Sequence, residues 1–197
     1  AARAGARVRG VYTMNFSSKS TGANAMLMGW GNTRRIVLTD TLLDRYQPEE
    51  IEVVLAHELG HHVHRDIPKL IVIQSLLTLG SFLVAHLVLV GFGPALGVPS
   101  IDSPLGLPLL AASLGAVGLL TMPLSNAISR LIERAADSYA LRQTRLVDAF
   151  VGAMDKLTDQ NLAESRPPKW AELILASHPT HFDRVAFARR FEHEAAR

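Results

Sequence analysis

The sequence predicts a mainly α-helical chain that carries a small antiparallel β-sheet and a transmembrane helical hairpin. Three observations predict it. The β-prone segments are confined to the first 39 residues, and helix-forming patterns dominate after Pro48. Charge is segregated as well: from Leu70 to Ser129, 60 residues hold a single charged side chain, Asp102. The flanking stretches have the charge density of an ordinary soluble domain. At 197 residues the length suits one domain, or one domain plus a membrane hairpin. The expected organisation is a sheet and first helix over residues 1–69, the hairpin over 70–126, and a second helical part over 127–197.

Composition removes several classes. Cysteine is absent, which excludes disulfides, thiolate metal sites and a cysteine nucleophile. The net charge is +2 and no dense Lys/Arg cluster occurs, so a nucleic-acid partner is not expected. The chain starts at Ala1 with no signal-peptide pattern, and the start reads as a cut inside a longer protein.

Residues 8–16 alternate roughly and read as a strand. Residues 25–30 and 33–39 are two more, joined by Gly31-Asn32 as a two-residue hairpin turn. Pro48-Glu49-Glu50 opens a helix, with proline near its first position and acids in the first turn. That helix is expected to run to Arg65, packing through Ile51, Val54, Leu55, Leu59 and Val63. Another face carries Val53, His57, Gly60, His61 and His64.

Residues 70–92 and 105–125 are each apolar and long enough to span a hydrocarbon core of ~30 Å at ~1.5 Å per residue. Between them, residues 93–104 are rich in Gly and Pro and suit a reversal. The competing reading is a pair of buried core helices. The second span continues into a charged helix over 126–143, followed by helices over 148–159 and 183–196. Arg65, Lys69, Arg130, Arg134, Arg142 and Arg145 flank the hairpin and its loop has no Lys or Arg, which places both flanks in the cytoplasm. A cytoplasmic location leaves the sequon at Asn15-Phe16-Ser17 without meaning. The localisation read from these features is a multi-pass integral membrane protein, in a bacterial cell membrane, with its chemistry on the cytoplasmic side.

His57-Glu58-Leu59-Gly60-His61 is an H-E-x-x-H. Two histidines at i and i+4 project from one helical face and can reach one Zn²⁺ per chain, as in a zincin-type active-site helix. Glu58 stands beside the metal's open position, where it can take a proton from water and pass it to a leaving amine. A third protein ligand is needed. Metzincin spacing would put a histidine at position 67, which is Ile67. Glu133-Arg134-Ala135-Ala136-Asp137 offers E-x-x-x-D on a helix that the hairpin returns to the same side. Glu133 is assigned as the third metal ligand. Asp137 is assigned as a partner to a ligand histidine's N–H, and either Glu58 or Asp137 is expected to protonate the leaving nitrogen. The alternative is a solvated helix face in which Arg130 and Arg134 pair with these acids. His62 and His64 are taken as surface residues, and His86 as a helix-packing or interfacial one.

His57–His61, Glu133–Asp137 and the apolar hairpin between them resemble the integral-membrane gluzincin zinc metallopeptidases, a family with CAAX prenyl protease and HtpX-like branches. Further matches are Ser20–Ala25, Arg35–Leu43, Gln160-Asn161-Leu162 and Ser177-His178-Pro179-Thr180 with Arg184, and they look closer to the CAAX prenyl protease branch. The resemblance implies a membrane-embedded endopeptidase acting on a peptide or protein substrate. It implies that the strand holding Asn24 and Ala25 pairs with the extended substrate backbone. It also implies His178 as a donor to the tetrahedral oxyanion and Arg184 as a support for that site. A competing function is a catalytically inactive membrane scaffold that kept the peptidase fold.

Overall fold

The computed structural model describes residues 8–29, 33–160 and 167–195. Its sheet has three strands, β1 (Val11–Met14), β2 (Ala25–Met28) and β3 (Arg35–Thr39), in the order β1-β3-β2. β3 takes the centre because it turns Ile36 and Leu38 into the core. The expected all-antiparallel sheet is corrected to a mixed one. β2 runs antiparallel to β3, with Ala25 opposite Leu38, but β1 runs parallel to it, with Val11 opposite Ile36. The cause lies after β1, where the Asp40 carboxylate accepts from the Phe16 and Ser17 amides and the Ser17 hydroxyl. That anchor carries the chain across β3 and returns it on the far side. The turn expected at Gly31-Asn32 lies outside the described residues.

Thr39 caps a short helix α1 (Asp40–Arg45) that sequence patterning did not suggest, its hydroxyl accepting from the Leu42 amide. α2 (Pro48–Val63) then starts on a capping box between Gln47 and Glu50, with proline in its first turn. Its packing face is broader than expected: Ile51, Val54 and Leu55 pack on the core as anticipated. Val53, Ala56, Leu59 and Gly60 are buried, whereas Val63 is 43% exposed. α2 is apolar on several sides and is gripped by β2, α4 and α5 together, so tertiary contacts rather than one stripe decide what is covered.

α3 (Asp66–Phe92) and α4 (Leu107–Thr144) form the hairpin, linked by two 3₁₀ turns, Pro94–Leu96 and Pro104–Gly106. Both are long and apolar enough to cross a membrane. They are not core helices: Leu76, Leu79, Leu83, Leu119 and Leu120 are all more than half exposed. Leaving five such side chains in water forfeits roughly 10 kcal/mol of burial, comparable to the whole stability of a domain. α4 is one continuous 38-residue helix, about 57 Å long. Its first half is apolar, and its second half enters the globular part carrying Glu133 and Asp137.

α5 (Val147–Gln160), α6 (Lys169–Leu175) and α7 (His181–Ala195) complete the chain. Phe150 and Ala153 of α5 close the core with Leu42, Val53 and Leu141. α6 is held against α4 by Arg130, whose guanidinium donates to the carbonyls of Glu172 and Ala176, and by Asn126, which donates to Ile174.

Candidate metal centre

Convergence begins with the close crossing of α2 and α4. A Cβ at Gly60 would lie 3.1 Å from Ala136 Cα and 3.3 Å from Ala136 O, so only glycine admits this approach without displacement. His57 and His61 flank Gly60 on one helix, and Glu133 and Asp137 flank Ala136 on the other. The crossing therefore brings all four together.

The ligand atoms meet closely. His57 Nε2 lies 3.2 Å from His61 Nε2, and each is 3.5 Å from a Glu133 oxygen. Donors on a tetrahedral ion with bonds of ~2.0–2.1 Å stand about 3.3 Å apart, so the triangle has the size of one coordination sphere. The opposite ring atoms are fixed as well. His57 Nδ1 is 2.9 Å from Asp137, and His61 Nδ1 is 3.0 Å from Asp66. With both Nδ1 protons donated to carboxylates, both Nε2 lone pairs face a third acceptor, Glu133. With both rings neutral, three acceptors converge here, and either a proton or a metal ion relieves them; this is the pattern in which a metal is held. His57, His61 and Glu133 thus fit a metal in donor type and spacing.

The electrostatics agree. Burial pulls His57 down, but its bonds to Asp137 and Glu133 win and push it up to about 9, so without a metal the ring itself takes up a proton. Glu133 is pushed up by burial yet held well below the usual carboxylate range by His178 and His57. Asp137 balances burial against His57 and Arg184 and stays lowered. Burial raises the Glu58 carboxyl, partly opposed by His57 and His61, which makes it a stronger base.

Asp137 is 1% exposed, and its oxygens receive His57 Nδ1 and a two-pronged Arg184 guanidinium, Nε at 2.8 Å from Oδ2. It sits behind His57, on the side away from the metal atoms. Arg184 therefore braces the His57 support. His178 Nδ1 lies 3.1 Å from Glu133 Oε2, and its side chain is 64% exposed beside the cluster. The solvated-face alternative for Glu133 and Asp137 does not hold: both are buried, and Arg130 is spent on α6. Ala25 is buried under the sheet, and Asn24 exchanges bonds with Thr39 through its backbone. β2 itself is an edge strand packed on α2, and its end at Leu27 shares a cleft with Glu58 and His61.

One orienting residue went unread in the sequence. Asp66 is 3% exposed and is held between His61 and Lys69 Nζ, 3.2 Å away. It reaches His61 because Arg65 adopts a left-handed conformation, φ 55, which breaks the chain between α2 and α3. His64, expected at the surface, is half-buried with its ring edge-on to Tyr139 at 5.8 Å.

An H-E-x-x-H helix crossed by an E-x-x-x-D helix, with a metal-sized triangle between them, defines a metallopeptidase domain. The chain belongs to peptidase family M48, whose profile matches residues 1–192. It is 30% identical over 186 residues to an uncharacterized metalloprotease, YhfN, of Bacillus subtilis (strain 168), covering 92% of this chain and 44% of that protein. It is 29% identical over 185 residues to a CAAX prenyl protease 1 homolog of Oryza sativa subsp. japonica, covering 89% and 42%. Protease HtpX of Pseudomonas putida (strain GB-1) is 27% identical over 185 residues, covering 85% and 62%. The crystal structure of S. mikatae Ste24p superposes with a TM-score of 0.83 at 23% identity, covering 95% of this chain and 47% of that one, and so shares its fold. The chain spans about half the length of these relatives.

Proposed function

We propose that this chain is the catalytic part of a membrane-embedded zinc metalloendopeptidase. The observation that carries the reading is the triangle of His57, His61 and Glu133 with Glu58 beside it. Two imidazoles and a carboxylate are the donor set of a catalytic zinc, which when bound supplies Lewis acidity toward a water and a carbonyl. α3 and α4 cross the membrane. The Arg and Lys residues on both flanks set the site on the cytoplasmic face, and a bacterial cell membrane is the proposed setting.

The residues divide the work as follows. The substrate backbone adds to the outer edge of β2, at Asn24 and Ala25, and this extended pairing sets the scissile bond over the site. Glu58 removes a proton from the attacking water, the water oxygen bonds to the carbonyl carbon, and the C–N bond breaks. The same proton passes from Glu58 to the leaving nitrogen. Asp137 is saturated by His57 and Arg184, so it takes no part in that transfer and instead fixes the His57 ring, as Asp66 fixes His61. His178, drawn toward its charged form by Glu133, donates to the developing oxyanion.

The test uses the full-length protein in detergent with an unstructured reporter peptide. Cleavage should stop with a chelator and return with zinc, and His57→Ala and Glu133→Ala should neither cleave nor hold zinc. Full cleavage by Glu133→Ala with zinc in place would contradict the reading. The inactive-scaffold alternative predicts neither cleavage nor zinc, whereas zinc without cleavage points to a restricted substrate or an incomplete chamber.

A further inference from the structure

The segment that leads into β2 is held largely by side chains. The Gly22 carbonyl accepts from the Thr41 hydroxyl at 2.6 Å, the Ala23 N–H donates to Gln160 Oε1 at 3.2 Å, and the Asn24 N–H donates to Thr39 Oγ1 at 2.9 Å. Thr39 and Thr41 stand at the end of β3 and the start of α1. Gln160 comes from the last turn of α5, 137 residues from Ala23. Asn24 also accepts from the Thr39 amide, so its backbone faces β3. Successive residues of an extended chain face opposite ways. Ala23 therefore turns its N–H to the other side, where a substrate strand would add, and Gln160 meets it there.

The Gln160 amide is aimed by its donors. A backbone N–H can only donate, so Ala23 fixes the side-chain oxygen toward itself, and the Tyr46 hydroxyl donates to the same oxygen at 3.2 Å. Tyr46 is buried, which holds that oxygen from the core side. One turn earlier on α5, Lys156 Nζ donates to Glu50 Oε2 at 2.5 Å and to the Arg45 carbonyl at 3.1 Å. Glu50 lies in the first turn of α2, the helix that carries His57 and His61. α5 is thereby tied to the histidine helix at Lys156 and to the approach to β2 at Gln160.

We propose that Gln160 is a positioning residue for the substrate: by holding the Ala23 amide it fixes β2 relative to the histidine helix, so that a peptide adding to the strand meets the metal in register. The inference rests on the peptidase reading, and on strand addition at β2, and adds the residue that sets the strand. Gln160 acts through Ala23 rather than through the metal ligands. Order supplied before binding is not lost on binding, so the effect falls on substrate affinity more than on the chemical step.

The test uses full-length, zinc-loaded protein with Gln160→Met, which keeps the length and removes the acceptor, and Gln160→Glu, which keeps the acceptor. A reporter peptide is compared with versions N-methylated in turn at each backbone amide near the scissile bond, a change that removes the donor through which a strand pairs. In wild type at least one N-methyl group should cost about tenfold in kcat/KM. Gln160→Met should raise KM for the parent peptide about fivefold, hold kcat within about twofold, and shrink that N-methyl cost to about threefold or less. Gln160→Glu should restore both values. Zinc affinity should match wild type throughout. Tyr46→Phe removes one of the two donors to Gln160 and should raise KM by less.

An undiminished N-methyl cost in Gln160→Met, an equal defect in Gln160→Glu, or zinc affinity falling in step with the rise in KM overturns the proposal. Where Gln160→Met does not fold, a wild-type KM in Tyr46→Phe overturns it instead. Dissociation constants for the same peptides, measured with Glu58→Gln added to each protein, keep this inference apart from the peptidase reading. An N-methyl cost in binding that depends on Gln160, with no cleavage by wild type, leaves the positioning role standing and removes the peptidase reading. Cleavage by wild type with no N-methyl cost at any position removes strand addition at β2, and the positioning role with it, while the peptidase reading stands.

Discussion

Gly60→Ala is a single added methyl group at the tightest point between the two ligand-bearing helices. Its Cβ would stand 3.1 Å from Ala136 Cα, 3.2 Å from Tyr139 Cβ and 3.3 Å from Ala136 O. Ordinary contact begins near 3.4 Å, and two of these atoms are backbone, so no rotamer relieves the crowding. The helices must part by a few tenths of an ångström. Overpacking of this kind costs about 1–3 kcal/mol, partly offset by ~1 kcal/mol of helix propensity gained from alanine. The larger effect falls on the metal. Coordination distances tolerate about 0.2 Å, and the displaced atoms flank Glu133 and Asp137 directly. Zinc affinity is expected to fall about tenfold or more, as for lost support of a ligand. Competition against a chromophoric chelator measures the affinity, and thermal unfolding of the same preparation measures the stability. Gly80→Ala is the control, because a Cβ there meets nothing within 4 Å. A Gly60→Ala protein that binds zinc as tightly as wild type would refute the argument that this crossing sets the triangle.

Other expectations follow from single contacts. Asp137→Asn keeps the volume but loses the charge that receives His57 Nδ1 and Arg184, and zinc affinity should drop about 10–100-fold, as read by the same competition. Asp66→Asn should weaken zinc in the same direction through His61, where a residue with only a capping role for α3 would leave affinity unchanged. Asp40 is held at about 2, below its ordinary 3.8, by the Ser17 hydroxyl and, against the opposing effect of burial, by the Phe16, Ser17 and Thr41 amides. A depressed pKa contributes stability that is complete above ~4 and lost as pH falls toward about 2. The protection of the Phe16 and Ser17 amides, measured against their intrinsic exchange rates, should therefore fall in that window for wild type, while Asp40→Asn should lack it already at neutral pH.

What the sequence disclosed is mostly what local geometry dictates. His57 and His61 are one helical turn apart, as are Glu133 and Asp137, so each pair's shared face is legible without a fold. The hairpin was legible because lipid-length apolar runs cannot be mistaken for amphipathic stripes, and the exposure of Leu119 and Leu120 agrees with that reading. The sheet order was not legible. β1 joins β3 in parallel because Asp40 captures the chain 23 and 24 residues back, a contact with no local signature. The packing face of α2 was read too narrowly: Ile51, Val54, Leu55 and Leu59 pack as expected, but Val53 and Ala56 are buried as well and Val63 is exposed. The deciding position is Gly60, whose importance lies in what it lacks. The contact of Asp66 with His61 was not foreseen because a left-handed, non-glycine Arg65 is what aims it there. Asp137 was expected as a histidine partner, and its contact with His57 is accompanied by burial against Arg184, which local spacing does not show.

The most direct test of the central claim, that Glu58 acts as the base beside a metal held by His57, His61 and Glu133, is a paired measurement on wild-type and Glu58→Gln full-length protein. Zinc content and single-turnover cleavage of a reporter peptide are read from the same samples. The account predicts one zinc per chain in both and cleavage lost by about two orders of magnitude or more in Glu58→Gln. Equal cleavage by the two proteins, with zinc bound in each, would contradict it.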